Sequence, residues 1–222
     1  MTTTRKRTPP QKQNQPRKVP VLGIVFVVVA LALVAAIVFS SDRSIGSEAG
    51  DPDITGEALP AFPSANPAQP SDDAAFGLAA PAAVGEDFGG STVAIDTDND
   101  TAKAIVFLAH WSPHCQAEVP RVQAWLDAGG EVEGVEMISV TTSMNSAQPN
   151  YPPSAWLERE GWTVPIIRDS ESNELLSAYG AGGFPYWVFV DADGNVTRRS
   201  GGELSIETLQ AYMTEAAQAA GQ

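Results

Sequence analysis

Sulfur and imidazole are scarce in this chain: Cys115 is its one cysteine, and His110 and His114 are its only histidines. A lone cysteine cannot close an intrachain disulfide, so a disulfide-stapled scaffold and an internal dithiol redox pair are both excluded. Closed thiol and imidazole metal sites take four ligands. His110, His114 and Cys115 are all that the chain offers in one place, so no metal and no cofactor is expected. Basic residues are sparse as well. Of the 13 Lys and Arg, six (Arg5, Lys6, Arg7, Lys12, Arg17, Lys18) stand before residue 21, where there is no acid; the other seven face all 27 Asp and Glu, and 7 − 27 gives −20. A domain this acidic lacks the clustered cations that phosphate neutralisation requires, which excludes nucleic acid as a partner.

What the chain does have, early on, is an uninterrupted apolar run from Val21 to Phe39. At ~1.5 Å per residue, its 19 residues reach roughly 28 Å, close to the ~30 Å hydrocarbon core of a bilayer. A cleaved signal peptide has a shorter apolar region followed by a small-x-small site; here the run ends in Val38-Phe39-Ser40-Ser41-Asp42 without one. The expectation is an uncleaved membrane helix over residues 21–40. The basic tail 1–20, without a fold of its own, is held in the cytoplasm by the positive-inside rule, and everything beyond is exported.

Residues 41–75 are rich in Pro, Ala, Gly, Ser and acids, with Pro52, Pro60, Pro63, Pro67 and Pro70 spaced along them. So little apolar surface predicts a flexible or partly extended tether. From residue 76 to 220 the pattern changes to strands alternating with helices. Ala104 to Ala109 reads as a strand buried on both faces, and a helix follows from Pro113 to Ala128. Val135–Val140 and Val164–Ile167 read as strands, with short helices around Trp156 and over Ser172–Tyr179, the latter capped by Gly180. Tyr186–Val190 and Asn195–Arg199 flank the turn pair Asp193-Gly194, and Ile206, Leu209, Met213 and Ala216 form one stripe of a last helix. Leu78–Ile95 reads as an added hairpin. The order implies an α/β fold with a mixed central sheet and helices on both faces. Asp96, Asp98 and Asp100 read as a solvated loop, and Asp191-x-Asp193-Gly194-Asn195 as a hairpin turn, since it lacks the final Glu of a calcium loop.

The chemically distinctive stretch is His110-Trp111-Ser112-Pro113-His114-Cys115, at the hand-over from a buried strand to a helix. Ser112 suits the N-cap and Pro113 the first helical position. Cys115 shares a stripe with Val119, Val122 and Leu126, so it leans toward the sheet, whereas Ser112 is expected at an exposed tip and both histidines in solvent.

The segment Phe107-Leu108-Ala109-His110-Trp111-Ser112-Pro113-His114-Cys115-Gln116-Ala117-Glu118-Val119-Pro120 resembles the active-site segment of the TlpA/ResA-like thioredoxins, whose motif reads Trp-Cys-x-x-Cys-x-x-Glu-x-Pro. Gly182-Gly183-Phe184-Pro185 is similar to the segment in which thioredoxins carry a cis-proline facing the cysteines. The resemblance spans about residues 76–220. It implies a thioredoxin-like fold and thiol–disulfide work by a membrane-anchored, extracytoplasmic domain. It further implies that Cys115 and Ser112 hold the catalytic positions and that Trp111, Pro113, His114, Phe184 and Pro185 frame a substrate groove. The departure is Ser112, which stands where the family has its attacking cysteine. A hydroxyl cannot enter a disulfide, so exchange by this chain alone is excluded.

Three functions follow. In the first, Cys115 performs single-thiol redox chemistry with a partner thiol or disulfide protein. In the second, the domain is a degenerate thioredoxin that binds peptides, with Cys115 as a small core residue and Ser112 as a helix cap. In the third, Ser112-x-x-Cys115 resembles the Thr-x-x-Cys of peroxiredoxins and the chain is a thiol peroxidase, although Leu108 stands where those enzymes have proline. The helix N-terminus and His114 would lower the Cys115 thiol pKa and burial would raise it; an acid that many thioredoxins place on the preceding strand is missing near Val106.

Overall fold

Strand β4 (Ala102–Leu108) is buried along all seven residues, and the rest of the domain is arranged about it. The computed structural model describes residues 48–219. The tail 1–20 and the expected membrane helix 21–40 lie outside the described residues, among which no helix is long and apolar enough to cross a membrane. The other strands are β1 (Asp53–Thr55), β2 (Ala82–Glu86), β3 (Thr92–Ile95), β5 (Val135–Thr141), β6 (Ile166–Arg168), β7 (Tyr186–Val190) and β8 (Val196–Gly201). The helices are α1 (Pro113–Asp127), α2 (Pro153–Arg159), α3 (Glu174–Ala178) and α4 (Ile206–Ala219).

The central sheet has the order β6-β5-β4-β7-β8. β5 lies parallel to β4 and to β6, whereas β7 runs antiparallel to β4 and β8 antiparallel to β7. The sheet is therefore mixed, and the order of elements matches the sequence expectation. Because side chains alternate along a strand, β4 feeds two apolar layers. Ile105 and Phe107 pack with Ile138, Val140, Tyr179, Tyr186 and Val188 on one side. Ala104, Val106 and Leu108 pack with Cys115, Val119 and Val122 of α1 and Leu209, Met213 and Ala216 of α4 on the other. Apart from Lys103, whose ammonium donates to Asn99 and Thr101, a strand buried on both faces has no polar positions to spare, which is why Ala104 to Leu108 reads as one apolar run.

β1, β2 and β3 form a second, antiparallel sheet. The β2–β3 turn is held by Asp87, whose Oδ1 accepts from the Gly89 and Ser91 amides at 2.8 Å each. Gly85 on β2 lies so close to β6 that a Cβ there would come within 2.6 Å of Ile167.

The stretch expected as a tether is, from residue 48 onward, part of the packed domain. Glu48 accepts from the backbone amide and hydroxyl of Ser154 at the start of α2, at 2.9 and 2.8 Å. β1 pairs with β2, and the Leu59 and Phe62 amides donate to Ala178 and Gly180 at 2.8 and 2.7 Å. Asp73 receives a bidentate contact from the buried Arg199, whose Nη1 also donates to Pro60 O at 2.8 Å. Composition misleads here because these residues obtain their partners from the rest of the fold. A polar, proline-rich strap needs no core of its own when Leu59, Phe62 and Asp73 are received by one that exists already.

Burial works to raise the Asp73 carboxyl, but the bonds from Arg199 and Ala75 outweigh it and hold the group below its ordinary value of 3.8. A carboxyl depressed in the folded state contributes stability that is fully present above its unfolded pKa and is lost as pH falls through its folded value. Asp73→Ala, which strands a buried guanidinium, is expected to lower the unfolding free energy of the full chain by about 3–5 kcal/mol. Urea denaturation at neutral pH measures this, and the gap between variant and parent should narrow as the buffer is acidified below about pH 4. A loss well under 1 kcal/mol at neutral pH would show that the strap is not anchored through Arg199.

Candidate functional site

β4 stops at Leu108, whose carbonyl accepts from the Thr142 amide at 3.0 Å, and the chain turns at once toward α1. The Ser112 amide donates to Ala109 O at 3.0 Å, and Ser112 O takes the first helical bond, from Gln116 N at 3.0 Å. Ser112 is the N-cap in extended conformation (φ −71°, ψ 121°), Pro113 takes the first helical position, and the Ser112 hydroxyl faces the Cys115 amide at 3.5 Å. Cys115 lies in the first turn and has no exposed surface. Ser112 is itself buried, not an exposed tip, because the turn folds its side chain back over the helix start.

Burial decides the contest over the thiol. Desolvation is the leading cause of a pKa pushed up to about 12; the Ala109 backbone and the Ser112 hydroxyl pull the other way, and the Glu118 and Glu203 carboxylates add to the rise. At neutral pH the buried thiol therefore keeps its proton, whereas the thiolate is the species that attacks disulfides and peroxides.

The two histidines part company. His114 is exposed, with Nδ1 2.7 Å from Glu203 Oε1. His110, expected in solvent, is buried: Nε2 accepts from the Asn145 amide at 3.2 Å, so Nδ1 carries the proton and donates to Pro149 O at 2.7 Å. Its ring also meets Tyr151 edge-on at 5.7 Å. His110 therefore pins the loop that follows β5, and both its ring nitrogens are engaged. Trp111 pins the same loop, donating from Nε1 to Ser143 O at 2.7 Å.

Trp111 and Phe184 meet edge-to-face at 5.8 Å, which joins the two motif segments. The Phe184–Pro185 peptide is cis, Pro185 is buried, and Pro185 O accepts from Gly202 N at 2.8 Å. Gly182 and Gly183 are exposed beside them. Among the described residues, no hydrogen-bond partner is found for the backbone groups of Gly182, Gly183 and Phe184. Pro113 and His114 form the exposed rim on the helix side.

Glu118 is the residue that the strand-based expectation missed. The buried acid beside Cys115 comes from the next turn of α1, not from β4. Its Oε1 accepts from Trp187 Nε1 at 3.0 Å and from Leu204 N at 3.2 Å, and its Oε2 pairs with Arg121. Burial, the leading cause, pushes this carboxyl above its ordinary range despite the opposing pull of Leu204, Arg121 and Trp187. Arg121 Nη1 continues to Glu203 at 3.0 Å, and Glu203 reaches His114. The His114 and Arg121 bonds hold Glu203 below the usual carboxylate value. The sequence signal was the Glu-x-Pro that follows Cys115. Elsewhere, Asp191 Oδ1 accepts from the Asp193 and Asn195 amides at 3.0 and 2.8 Å, which accounts for that acidic stretch as turn chemistry.

Comparison with known proteins adds three findings. Residues 75–213 match the Redoxin family. The thiol–disulfide oxidoreductases ResA of Geobacillus thermodenitrificans (strain NG80-2) and Geobacillus kaustophilus (strain HTA426) are 28% and 27% identical to the chain over 107 residues. In each case this is 48% of this chain and 58% of the relative, so the chain spans less than two thirds of the length of these relatives. A thiol:disulfide interchange protein of the thioredoxin family from Chlorobium tepidum TLS superposes with a TM-score of 0.52 at 21% identity, covering 63% of this chain and 96% of that one. A likeness at that identity shows a shared fold.

The Glu118 shift has a measurable consequence. A carboxyl raised in the folded state holds its proton more tightly there than in the unfolded chain, so its contribution to stability falls as pH rises from its ordinary value of 4.5. In Glu118→Gln this fall is absent, so the variant should gain on the parent chain between about pH 4.5 and 7, read by urea denaturation of the full chain. A difference that stays flat over that range would mean that Glu118 titrates normally.

Proposed function

The chain belongs to the Redoxin family, and from that premise we propose that its TlpA/ResA-like thioredoxin domain binds extended polypeptide segments outside the cell membrane, with Cys115 withheld from redox chemistry. The observation that carries this reading is the complete burial of Cys115, with its thiol pushed up to about 12, beside a groove whose backbone is free. Dithiol exchange requires two sulfurs and the chain has one. Binding requires less: the unpaired backbone at Gly182, Gly183 and Phe184 supports pairing with an incoming strand, flanked by Trp111, Pro185 and the rim of Pro113 and His114. Residues 21–40 span the membrane in this reading, with residues 1–20 cytoplasmic. The 19-residue apolar run and the six basic residues before it support that orientation.

A second reading is supported by the relatives, which are named thiol–disulfide oxidoreductases. In it, the start of α1 opens, the Cys115 thiol loses its proton and attacks a partner disulfide, and a mixed disulfide forms as one partner sulfur leaves as thiol. The serine beside Cys115 cannot resolve that bond, so a second thiol from a partner must. Peroxidase chemistry is disfavoured by the same burial, since peroxide reacts with the thiolate.

Thiol titration separates the two. In the full-length chain in detergent, Cys115 is expected to resist a thiol reagent for hours under native conditions and to label to one equivalent once unfolded. Rapid native labelling would overturn the binding reading in favour of monothiol redox. Ser112→Cys is a companion variant. If the family's site geometry is retained, the new pair should oxidise to an internal disulfide under an added disulfide oxidant, seen as the loss of two hydrogens by mass spectrometry, and its dithiol form, regenerated by dithiothreitol, should reduce insulin. A variant whose two thiols remain free under oxidant would show that the geometry has been lost.

A further inference from the structure

Beyond Phe184 the groove opens into a cavity of about 610 Å³, walled by Phe62, Pro63 and Asn66 of the strap on one side and by Gly183, Phe184 and Gly202 on the other. We propose that this cavity is a subsite for an aromatic side chain of a basic partner segment. The proposal rests on the peptide-binding reading of the neighbouring groove and specifies which peptide that groove takes.

Three observations lead there. The first is shape and chemistry. No charged side chain lines the cavity, and two of its walls are aromatic rings. A Cβ added at Gly182, Gly183 or Gly202 would meet nothing within 4 Å, so these glycines leave open floor on which a planar group can lie. The volume falls within the range of ligand clefts, and rings favour edge-to-face or offset contact with other rings.

The second is what the cavity refuses. Asn66 Nδ2 donates to Gly201 O at 2.9 Å and Asn66 Oδ1 accepts from Gly201 N at 2.8 Å. The amide side chain thus occupies both backbone groups of Gly201 as a neighbouring strand would. At Gly201, past Phe184, an incoming backbone therefore finds neither group free, which favours a side chain over a strand as the occupant there. The wall is also built in advance. The Phe62 ring sits edge-on to Tyr186 at 5.3 Å and 5.4 Å from the Arg199 guanidinium, itself held by Asp73. A wall already ordered costs little further entropy when a ligand arrives.

The third is charge. Seven of the 13 basic residues and one of the 27 acids precede residue 48, so residues 48–219 carry 13 − 7 = 6 cations and 27 − 1 = 26 anions, a net of −20. All six cations, Lys103, Arg121, Arg159, Arg168, Arg198 and Arg199, are in ion pairs within the domain. An uncharged pocket in so anionic a surface suits an aromatic anchor flanked by Lys or Arg, and repels acidic segments.

The test uses the full-length chain in detergent and three fluorescein-labelled peptides: Lys-Ser-Lys-Ala-Phe-Ala-Lys-Ser, the same with Ala in place of Phe, and the Phe peptide with Glu in place of each Lys. Fluorescence anisotropy reads the dissociation constants. Burying a Phe side chain predicts that the Phe peptide binds roughly 10- to 100-fold more tightly than the Ala peptide. The Glu peptide should bind more weakly than either, and added salt should weaken the Lys peptides. Ala65→Trp, which fills the cavity from the strap side, should abolish the advantage of Phe over Ala. Equal binding of the Phe and Ala peptides would overturn the subsite and leave the peptide-groove reading standing. No binding of any peptide would overturn both.

Discussion

Everything at the site depends on where a doubly buried strand ends. β4 spends its apolar side chains on both faces of the sheet, so its alternation commits Ala104, Val106 and Leu108 to the layer beneath α1 and Ile105 and Phe107 to the opposite one. When the strand gives way to α1 over a turn of four residues, the first turn of the helix is pressed onto that layer, and Cys115 enters the core with Val119 and Val122. The helix N-terminus alone would favour a thiolate there, but its pull on a fully desolvated sulfur is the smaller effect. The same junction that in a dithiol protein presents one cysteine and hides the other here has only the hidden one.

Around this junction the domain places its charges with unusual economy. Arg199 and Lys103 are fully buried and satisfied, Arg199 by Asp73, Pro60 and Tyr179, Lys103 by Asn99, Thr101 and Glu136. Glu118 is buried too, and its three donors come from a helix turn, a strand and the loop before α4. Such groups stabilise a fold only while their partners stay in place. They also determine which surfaces remain available. With the cations used internally, the outer face is anionic, and the uncharged area beside Phe184 stands out against it.

Much of the fold was legible because periodicity reports burial directly. The continuous apolar run of β4, the 3.6-residue stripe of Leu209, Met213 and Ala216, and the Asp193-Gly194 turn each specify local structure through contacts the sequence itself patterns. Cys115 leaning toward the sheet was legible for the same reason. The burial of His110 and Ser112 was not. His110 is covered by residues 145–151, more than 30 positions away, whose backbone groups match its ring nitrogens. No local pattern announces such a fit. Glu118 was passed over for a related reason: an acid on an amphipathic helix ordinarily faces water, and only Trp187 and Leu204, from β7 and the loop before α4, make its burial tolerable.

The strap shows most clearly the division between chain and fold. Its composition forbids a core of its own, and taken alone it reads as a tether. Once Arg199 offers a buried guanidinium and Ala178 and Gly180 offer free carbonyls, ordering it becomes favourable, because the rest of the domain has already met the entropic cost of assembling those partners. By itself the sequence determined the sulfur count, the order of elements from β2 onward and the position of Cys115 on a core-facing stripe, since each is a property of residue identity or short-range spacing. The tertiary structure alone decided how deeply that thiol is desolvated, which histidine is buried and what walls the groove beyond Phe184, because each depends on groups far apart in the chain being brought within a few ångströms of one another.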